Sequence, residues 1–369
     1  MIIKSIELTN FRNYDSLCLE FDKGTNILYG DNAQGKTNVL EAIYLSSITK
    51  SHKGSKNQDI IKFGESESHL RTFIEKDNDT YKVDMHLLKS GSKVIAVNGQ
   101  KLKKAAGLLG LLNVVLFSPE DLAIIKEGPS ERRRFIDMEL CQLDNFYLYN
   151  LTNYNKIVEQ RNKLLKDIYT NYSLKDTLDI WDSQLISYGS KIIERRVSFI
   201  NQLNEIIYDI HKKLSGDREE ILIKYEPNVL IEEFETKLKQ SQEKDIKLKM
   251  TTVGPHRDDI CIDVNGIDIR KFGSQGQQRT AALSLKLSEI ELVKKITKDT
   301  PVLLLDDVLS ELDSNRQNYL LNSISEIQTI ITCTGLEEFV RNRFHINKVF
   351  KVVNGEVFEN SDSNEHEEE

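Results

Sequence analysis

The chain has 369 residues, 39% hydrophobic and 29% charged, with 5 Pro and 18 Gly, which suits two or three structural units with a buried core and excludes collagenous, disordered and disulfide-scaffold classes. No stretch nears the ~18 consecutive apolar residues of a membrane span, and the cysteines (Cys18, Cys141, Cys261, Cys333) lie far apart without a CxxC pair, as expected of reduced thiols rather than zinc ligands or disulfides. The net charge is −8, but six of the acids fall in the last eleven residues, ENSDSNEHEEE; the remainder is near neutral, so a nucleic-acid partner would be met by local basic patches.

The opening MIIKSIELTN lacks the basic–apolar–small pattern of an export signal, so a cytoplasmic location is expected. Residues 2–8 alternate like a half-buried strand, with Leu17–Phe21 as its antiparallel partner. The apolar run Asn26–Tyr29 leads into a glycine-rich loop, beyond which Val39–Ile43 has helical character. Residues 70–103 read as a meander whose Asn98-Gly99 pair predicts a type I′ hairpin. Val114–Phe117 is another buried strand, ended by Ser118-Pro119. Between 145 and 214 the apolar residues recur at helical spacing, first over Asn145–Ile168 and then over Leu178–Leu214, which predicts an antiparallel helical hairpin. After a polar, Lys/Glu-rich passage at 231–249, a second Asn-Gly hairpin is expected at Asn265-Gly266. A helix over Gln277–Ile296, an apolar strand over Val302–Leu305, a further helix and a strand over Thr329–Thr332 complete an α/β alternation.

Three motifs carry chemistry. Gly30-Asp31-Asn32-Ala33-Gln34-Gly35-Lys36-Thr37 fits G-x-x-x-x-G-K-[ST] between a strand and a helix, a P-loop whose backbone N–H groups and helix N-terminus cradle phosphates. Lys36 would hold the β- and γ-phosphates of ATP and Thr37 would ligate Mg²⁺. Val302-Leu303-Leu304-Leu305-Asp306-Asp307 has the Walker B form, in which Asp306 completes the Mg²⁺ shell and Asp307 acts as general base. Ser274-Gln275-Gly276-Gln277-Gln278 opens a helix and resembles the signature sequence of ABC-type ATPases. In those enzymes Ser274, Gly276 and Gln277 would reach the nucleotide of a second protomer. Ser310-Glu311-Leu312-Asp313 then matches the D-loop of the same enzymes.

Further strings extend the likeness along the chain: Asn10-Phe11-Arg12-Asn13-Tyr14, Ser118-Pro119-Glu120-Asp121-Leu122, Gly128-Pro129 through Arg132-Arg133-Arg134-Phe135, Gly254-Pro255-His256-Arg257-Asp258-Asp259, and Gly273 to Arg279. Together with the P-loop and Leu304-Leu305-Asp306-Asp307 they run in order up to about residue 355, and with them the sequence resembles the RecF family of bacterial recombination mediators, related to the SMC proteins. The resemblance implies an α/β, SMC-like ABC-type ATPase head with a β-rich N-terminal lobe and an inserted α-helical hairpin domain. The expected divisions are 1–144 and 250–358 for the two halves of the head, 145–249 for the insertion, and 359–369 for a disordered acidic tail. The wide separation of Lys36 from Asp306 calls for an insertion of that kind, here without the long coiled coil of SMC relatives.

The resemblance further implies a clamp that dimerises on ATP, binds duplex DNA and single/double-strand junctions, and serves DNA repair, recombination and replication restart. Its partners would be RecO and RecR, and indirectly RecA and single-strand-binding protein, with no membrane. Three positions depart from the ABC pattern. Asp307 stands where Glu is usual, which predicts slow ATP hydrolysis suited to a timed switch; the resemblance implies that this weak activity is stimulated by DNA. Thr334 takes the place of the switch histidine, and the Q-loop glutamine falls near Ser118–Glu120. The resemblance also places Arg12 at the nucleotide or signature. Arg132 and Arg133, with Arg134, and Lys103 and Lys104, with Lys101, are candidate DNA-phosphate contacts, charge runs being otherwise solvated faces. His256 beside Asp258 and Asp259 reads as structural, because no further metal ligands cluster there. Two other readings share parts of the pattern: an energy-coupling subunit of a transporter and an ATP-switched nuclease.

Overall fold

A computed structural model describes residues 1–336 and 346–359, which form two compact units, 1–121 with 289–359, and 122–288. In chain order the strands and helices of the first segment are β1 (Ile2–Phe11), β2 (Tyr14–Glu20), β3 (Thr25–Tyr29), α1 (Lys36–Ile48), α2 (Asn57–Ile60), β4 (Glu67–Lys76), β5 (Asp79–Leu88), β6 (Lys93–Val97), β7 (Gln100–Lys101) and β8 (Val114–Phe117). The second unit contains α3 (Leu122–Lys126), α4 (Pro129–Leu143), α5 (Asn145–Thr170), α6 (Leu178–Leu214), β9 (Ile221–Glu226), α7 (Phe234–Leu248), β10 (Asp259–Val264), β11 (Ile267–Asp268), α8 (Ile269–Phe272) and the start of α9 (Gln275–Thr297). The chain then returns to the first unit with β12 (Val302–Asp306), α10 (Ser314–Ser323), β13 (Thr329–Cys333), β14 (Ile346–Val353) and β15 (Glu356–Glu359). The acidic tail expected from 359 begins at the last residue of β15, and its remaining residues lie outside the described ones.

The first unit has two six-stranded sheets. One, in the order β2-β1-β4-β5-β6-β7, is an antiparallel meander in its connections. Its strands alternate, with Leu70, Thr72 and Ile74 of β4 and Val83, Met85 and Leu87 of β5 buried, so one face is packed and the other solvated. The other sheet, β15-β14-β3-β13-β12-β8, is parallel except for β15. Its central strands are buried on both faces, which is why Val302-Leu303-Leu304-Leu305 is apolar without alternation and fully buried. Helix α1 touches β8, β12 and β13 of this sheet and β4 of the meander. A helix covered from both sides must be buried round its circumference, and Val39–Ile48 is.

In the second unit α5 and α6 pack antiparallel. Contacts step backwards along α6 as they advance along α5: Asp144 at the α5 N-cap pairs with Arg195, Tyr149 meets Tyr188, and Arg161 pairs with Asp182. Asp144 also caps α5 by accepting from the N–H groups of Phe146 and Tyr147. The helices carry charge into their interior. Arg161 is fully buried and donates to Asp182 on α6 (2.6 Å) and Asp245 on α7 (2.7 Å), which ties three helices together. The polar passage at 231–249 is thus mostly a helix, α7, whose apolar positions are few but whose Phe234 and Leu238 are fully buried. A three-stranded sheet, β11-β10-β9, completes the unit. Among the described residues no helix is long and apolar enough to cross a membrane.

Candidate nucleotide site and basic patches

The loop from Gly30 to Gly35 joins the C-terminal end of β3 to the N-terminus of α1. Gly35 has φ +117°, and a Cβ there would lie 2.6 Å from Asn13 Nδ2 and 2.8 Å from the Tyr14 hydroxyl, so both backbone conformation and space demand glycine. The neighbours that crowd it also brace the loop: Asn13 Nδ2 donates to the Gln34 carbonyl (2.9 Å) and the Tyr14 hydroxyl to the Gly35 carbonyl (3.0 Å). Asp31, Asn32 and Ala33 form the exposed tip, and Ala33 also has positive φ (64°). Lys36 is buried, and its ammonium donates back to the carbonyls of Gly30 and Asp31. The loop is therefore curled around its own lysine, with its outer side open.

Beside it, β13 lies between β3 and β12. This order carries Asp306, at the end of β12, to within 2.8 Å of the Thr37 hydroxyl, which donates to Oδ1. Thr332 of β13 donates to the same oxygen at 2.7 Å. Two hydroxyls around one carboxylate form an oxygen-only cluster, the donor chemistry of a hard divalent cation such as Mg²⁺. Asp307 follows with φ +54°, a strained conformation for a residue with a side chain, and its N–H donates to Thr332 Oγ1 at 3.1 Å. Ser310, in the D-loop string, donates to the Asp307 carbonyl at 2.8 Å.

Arg12 does not point into the loop. Its Nε and Nη2 grip Glu41 of α1 bidentately (2.8 and 2.6 Å), while Nη1 donates to the Asp59 carbonyl (2.7 Å) and Nη2 to Ser55 Oγ (2.7 Å). The Glu41 carboxyl is buried, which raises its proton affinity, but hydrogen bonds from Arg12 and Ser51 and the charge of Arg12 outweigh this and hold it below the ordinary carboxylate value. Thr334, at the switch-histidine position, is exposed. At the Q-loop position the Ser118 N–H donates to Asp121 Oδ2 at 2.8 Å.

In the second unit Ser274 caps α9 reciprocally: the Gln277 N–H donates to Ser274 Oγ (3.2 Å) and Gln277 Oε1 accepts from the Ser274 N–H (3.0 Å). Ser274 and Gly276 are exposed, whereas Gln277 is held by Glu219 at 3.0 Å. A Cβ on Gly276 would meet only Ser274 Oγ at 3.9 Å, so nothing among the described residues requires glycine there.

The basic candidates separate sharply. Arg132 is 2% exposed and bidentate to Asp259 (2.6 and 3.1 Å), with Nη1 on the Glu127 carbonyl at 2.6 Å. Four of its five N–H donors are engaged inside the unit and the side chain is buried, which argues against the DNA contact expected of it. Arg133 is half-buried and donates to the Asp258 carbonyl at 2.7 Å. Lys103 and Lys104 are exposed. The Gly-Pro-His-Arg-Asp-Asp string is an internal hub: Asp258 accepts from Arg196 (2.9 Å), the Asn228 N–H (2.8 Å) and the Tyr225 hydroxyl. His256 lies between the Tyr154 hydroxyl (2.7 Å to Nδ1) and the Thr251 carbonyl (3.0 Å to Nε2). A carbonyl only accepts, so Nε2 carries the proton and Nδ1 accepts from Tyr154.

Sequence reasoning missed Asn13, Tyr14, Glu41 and Thr332. The first two stand inside a string already singled out for Arg12; nothing local marks the other two.

Residues 2–357 match the family model described as the RecF/RecN/SMC N terminal domain. The DNA replication and repair protein RecF of Agathobacter rectalis is 64% identical over 97% of this chain and 99% of that protein. RecF of Lachnoclostridium phytofermentans is 62% identical over the same shares. Among solved structures, the recombination mediator protein RecF with ATP, of the RecFOR pathway, is similar with a TM-score of 0.92 and 40% identity over 97% of each chain. The Smc head domain of Pyrococcus furiosus bound to the C-terminal domain of ScpA gives 0.57 at 18% identity over 97% of this chain and 96% of that one, a likeness of fold alone.

Proposed function

The chain belongs to the RecF family, with the SMC-like ABC-type ATPase head that defines it, and on that premise we propose that it is an ATP-switched DNA clamp of replication and recombinational repair. ATP·Mg²⁺ binds at the P-loop. The loop N–H groups and Lys36 hold the phosphates, exchanging the carbonyls of Gly30 and Asp31 for phosphate oxygens. Thr37 and Asp306 would hold the Mg²⁺, which would offset phosphate charge when bound. Thr332 keeps Asp306 and the Asp307 backbone in place, and Asp307 accepts the proton of the attacking water. The observation that carries this reading is the convergence of Thr37 and Thr332 on one oxygen of Asp306.

The exposed Ser274 and Gly276 at the start of α9 serve a second copy. There a hydroxyl, free space and a helix N-terminus receive the γ-phosphate held by the partner protomer, so that ATP closes a homodimer and slow hydrolysis reopens it. The clamp binds duplex DNA and single/double-strand junctions, with Lys103 and Lys104 as phosphate contacts. It acts with RecO and RecR to help load RecA where single-strand-binding protein covers a gap.

The test is ATP turnover per mole of protein across a dilution series, with and without duplex DNA. Turnover that falls on dilution and rises with DNA is expected. Turnover independent of both would describe a self-contained monomeric ATPase and would remove the signature in trans.

A further inference from the structure

The solvated face of the meander carries a cluster that the nucleotide reading leaves unused. β4 and β5 pair antiparallel with His69 directly opposite His86, and Glu67 is two residues before His69 on the same face of β4. The two imidazoles stack, with centroids 4.1 Å apart and planes 15° from parallel. Both turn a nitrogen towards one carboxylate: His86 Nε2 is 2.8 Å from Glu67 Oε2, and His69 Nε2 is 3.7 Å from Oε1. The side chains of Glu67, His69 and His86 are 47%, 52% and 33% exposed, so an ion from solvent can reach them.

Two imidazoles and a carboxylate are the donor set of three-ligand zinc sites that keep a fourth position for water. Around a four-coordinate ion with bonds of about 2.0–2.1 Å, neighbouring donor atoms stand about 3.3 Å apart. The two measured separations bracket that spacing, and one ligand atom from each residue lies within 4.8 Å of the other two. A simple imidazole–carboxylate hydrogen bond accounts for His86 and Glu67. The in-plane Nε2 lone pairs of two stacked rings run nearly parallel, so binding one ion requires the half-exposed His69 ring to turn out of the stack while its Nε2 stays beside the Glu67 carboxylate.

We propose that Glu67, His69 and His86 form an open surface site for a divalent transition-metal ion of the zinc class. The ligands are Nε2 of each histidine, one Glu67 oxygen and water. Imidazole donors favour Zn²⁺, Ni²⁺ and Cu²⁺ over Mg²⁺ and Ca²⁺, so the site is chemically separate from the one at Thr37 and Asp306 and does not depend on nucleotide. Because the ligands come from two strands, the ion clips β4 to β5, and binding to the folded chain alone raises its stability.

The test is calorimetric titration of Zn²⁺ into the full, metal-stripped chain without nucleotide at about pH 7.5, with thermal unfolding in the presence and absence of Zn²⁺. Wild type is expected to bind one equivalent here and to melt higher with Zn²⁺. His69→Ala and His86→Ala should each weaken that binding at least about tenfold, the range seen when a metal site loses support, and abolish the zinc-dependent rise. Zinc taken up elsewhere, for example by the exposed Cys18, would persist in the double variant and so be told apart. If the alanine variants melt lower without zinc, His69→Gln and His86→Gln, which keep the side-chain volume, decide by the same loss. A double variant that binds Zn²⁺ like wild type, or a wild type whose melting ignores Zn²⁺, overturns the site.

Discussion

Thr332 donates a 2.7 Å hydrogen bond to the Asp306 oxygen that also accepts from Thr37. Its hydroxyl and carbonyl oxygens in turn accept from the Asp307 N–H at 3.1 and 3.2 Å. One side chain on β13 thus orients both acids at the end of β12. A hydrogen bond to a charged group contributes about 1.5–3 kcal/mol, which is about tenfold to a hundredfold in rate if the acids act in hydrolysis. Thr332→Val, close in shape, should therefore slow single-turnover ATP hydrolysis by that factor and leave ATP affinity within a few-fold, since Lys36 and the loop are untouched. Undiminished hydrolysis would remove Thr332 from the positioning of Asp306.

The Arg12–Glu41 pair should be structural first. Glu41 has no exposed side-chain surface and Arg12 has 21%, so removing Arg12 strands a buried carboxylate. Breaking a buried pair from one side costs about 3–5 kcal/mol; with Arg12 partly solvated, about 2–4 kcal/mol is expected for Arg12→Ala in denaturant unfolding at neutral pH. The carboxyl is held below its ordinary 4.5, so its contribution is whole above that value and lost as pH falls through the lower folded one. The deficit of Arg12→Ala should accordingly shrink in acid. A constant deficit would show that Glu41 is not the group concerned.

Local signals in the sequence located much of this fold. Asn98-Gly99 and Asn265-Gly266 form the expected hairpins, with positive φ at all four residues, because turn geometry depends on the two residues themselves. Val114–Phe117 and Leu178–Leu214 have the expected limits, the first because an unbroken apolar run stops at Ser118-Pro119 and the second because its helical apolar period is clear. The same local signal stands at Asn354-Gly355, which turns β14 into β15 with positive φ at both residues. Non-local pairing was not legible. Thr332 matters only because β13 inserts between β3 and β12, and no window of sequence contains that order. Arg132 sits in a run of three arginines that reads as a surface, yet Asp259, far along the chain, draws it inside. Periodicity locates helices and says little about which charges are paired within them.

His256 makes the second unit sensitive to acid. Burial lowers its pKa from 6.5 to about 4, and the neutral ring is fixed by Tyr154 and Thr251. The unfolded chain takes up a proton near 6.5 that the folded one refuses until about 4, so stability is whole above 6.5 and falls as pH drops across that window. The ring is only half-buried by surface exposure, so the loss is put at about 2–3 kcal/mol. His256→Gln should cost stability at neutral pH and flatten the difference between pH 6.5 and 4 in chemical unfolding. A variant as acid-sensitive as wild type would place the titration elsewhere.

The basic residues should divide between affinity and folding. Lys103 and Lys104 are exposed, and each phosphate contact removed lowers the slope of log K against log salt by about 0.9 for duplex DNA. Lys103→Ala with Lys104→Ala is expected to weaken DNA binding and flatten that slope by about 1.8, with unchanged thermal stability. Arg132→Ala should do the reverse and lower stability by about 1–3 kcal/mol, because Asp259 loses its bidentate partner and keeps only Arg270 at 3.4 Å and the Ile260 N–H. An unaltered salt slope in the double lysine variant would place the DNA contacts on other residues.

Ser274 offers the sharpest test of closure between two copies. Its hydroxyl caps α9, and losing a cap costs about 1 kcal/mol, so Ser274→Ala measures the structural share. Ser274→Arg adds bulk and positive charge at the exposed positive end of the helix, where the proposed partner's phosphate arrives. Both variants should bind ATP as wild type does, because the P-loop lies on other residues. In sedimentation velocity with ATP, wild type should dimerise, the alanine variant should dimerise more weakly, and the arginine variant should stay monomeric. If the arginine variant dimerises like wild type, the start of α9 is not at the interface; if it loses ATP binding as well, the residue acts on its own chain's nucleotide.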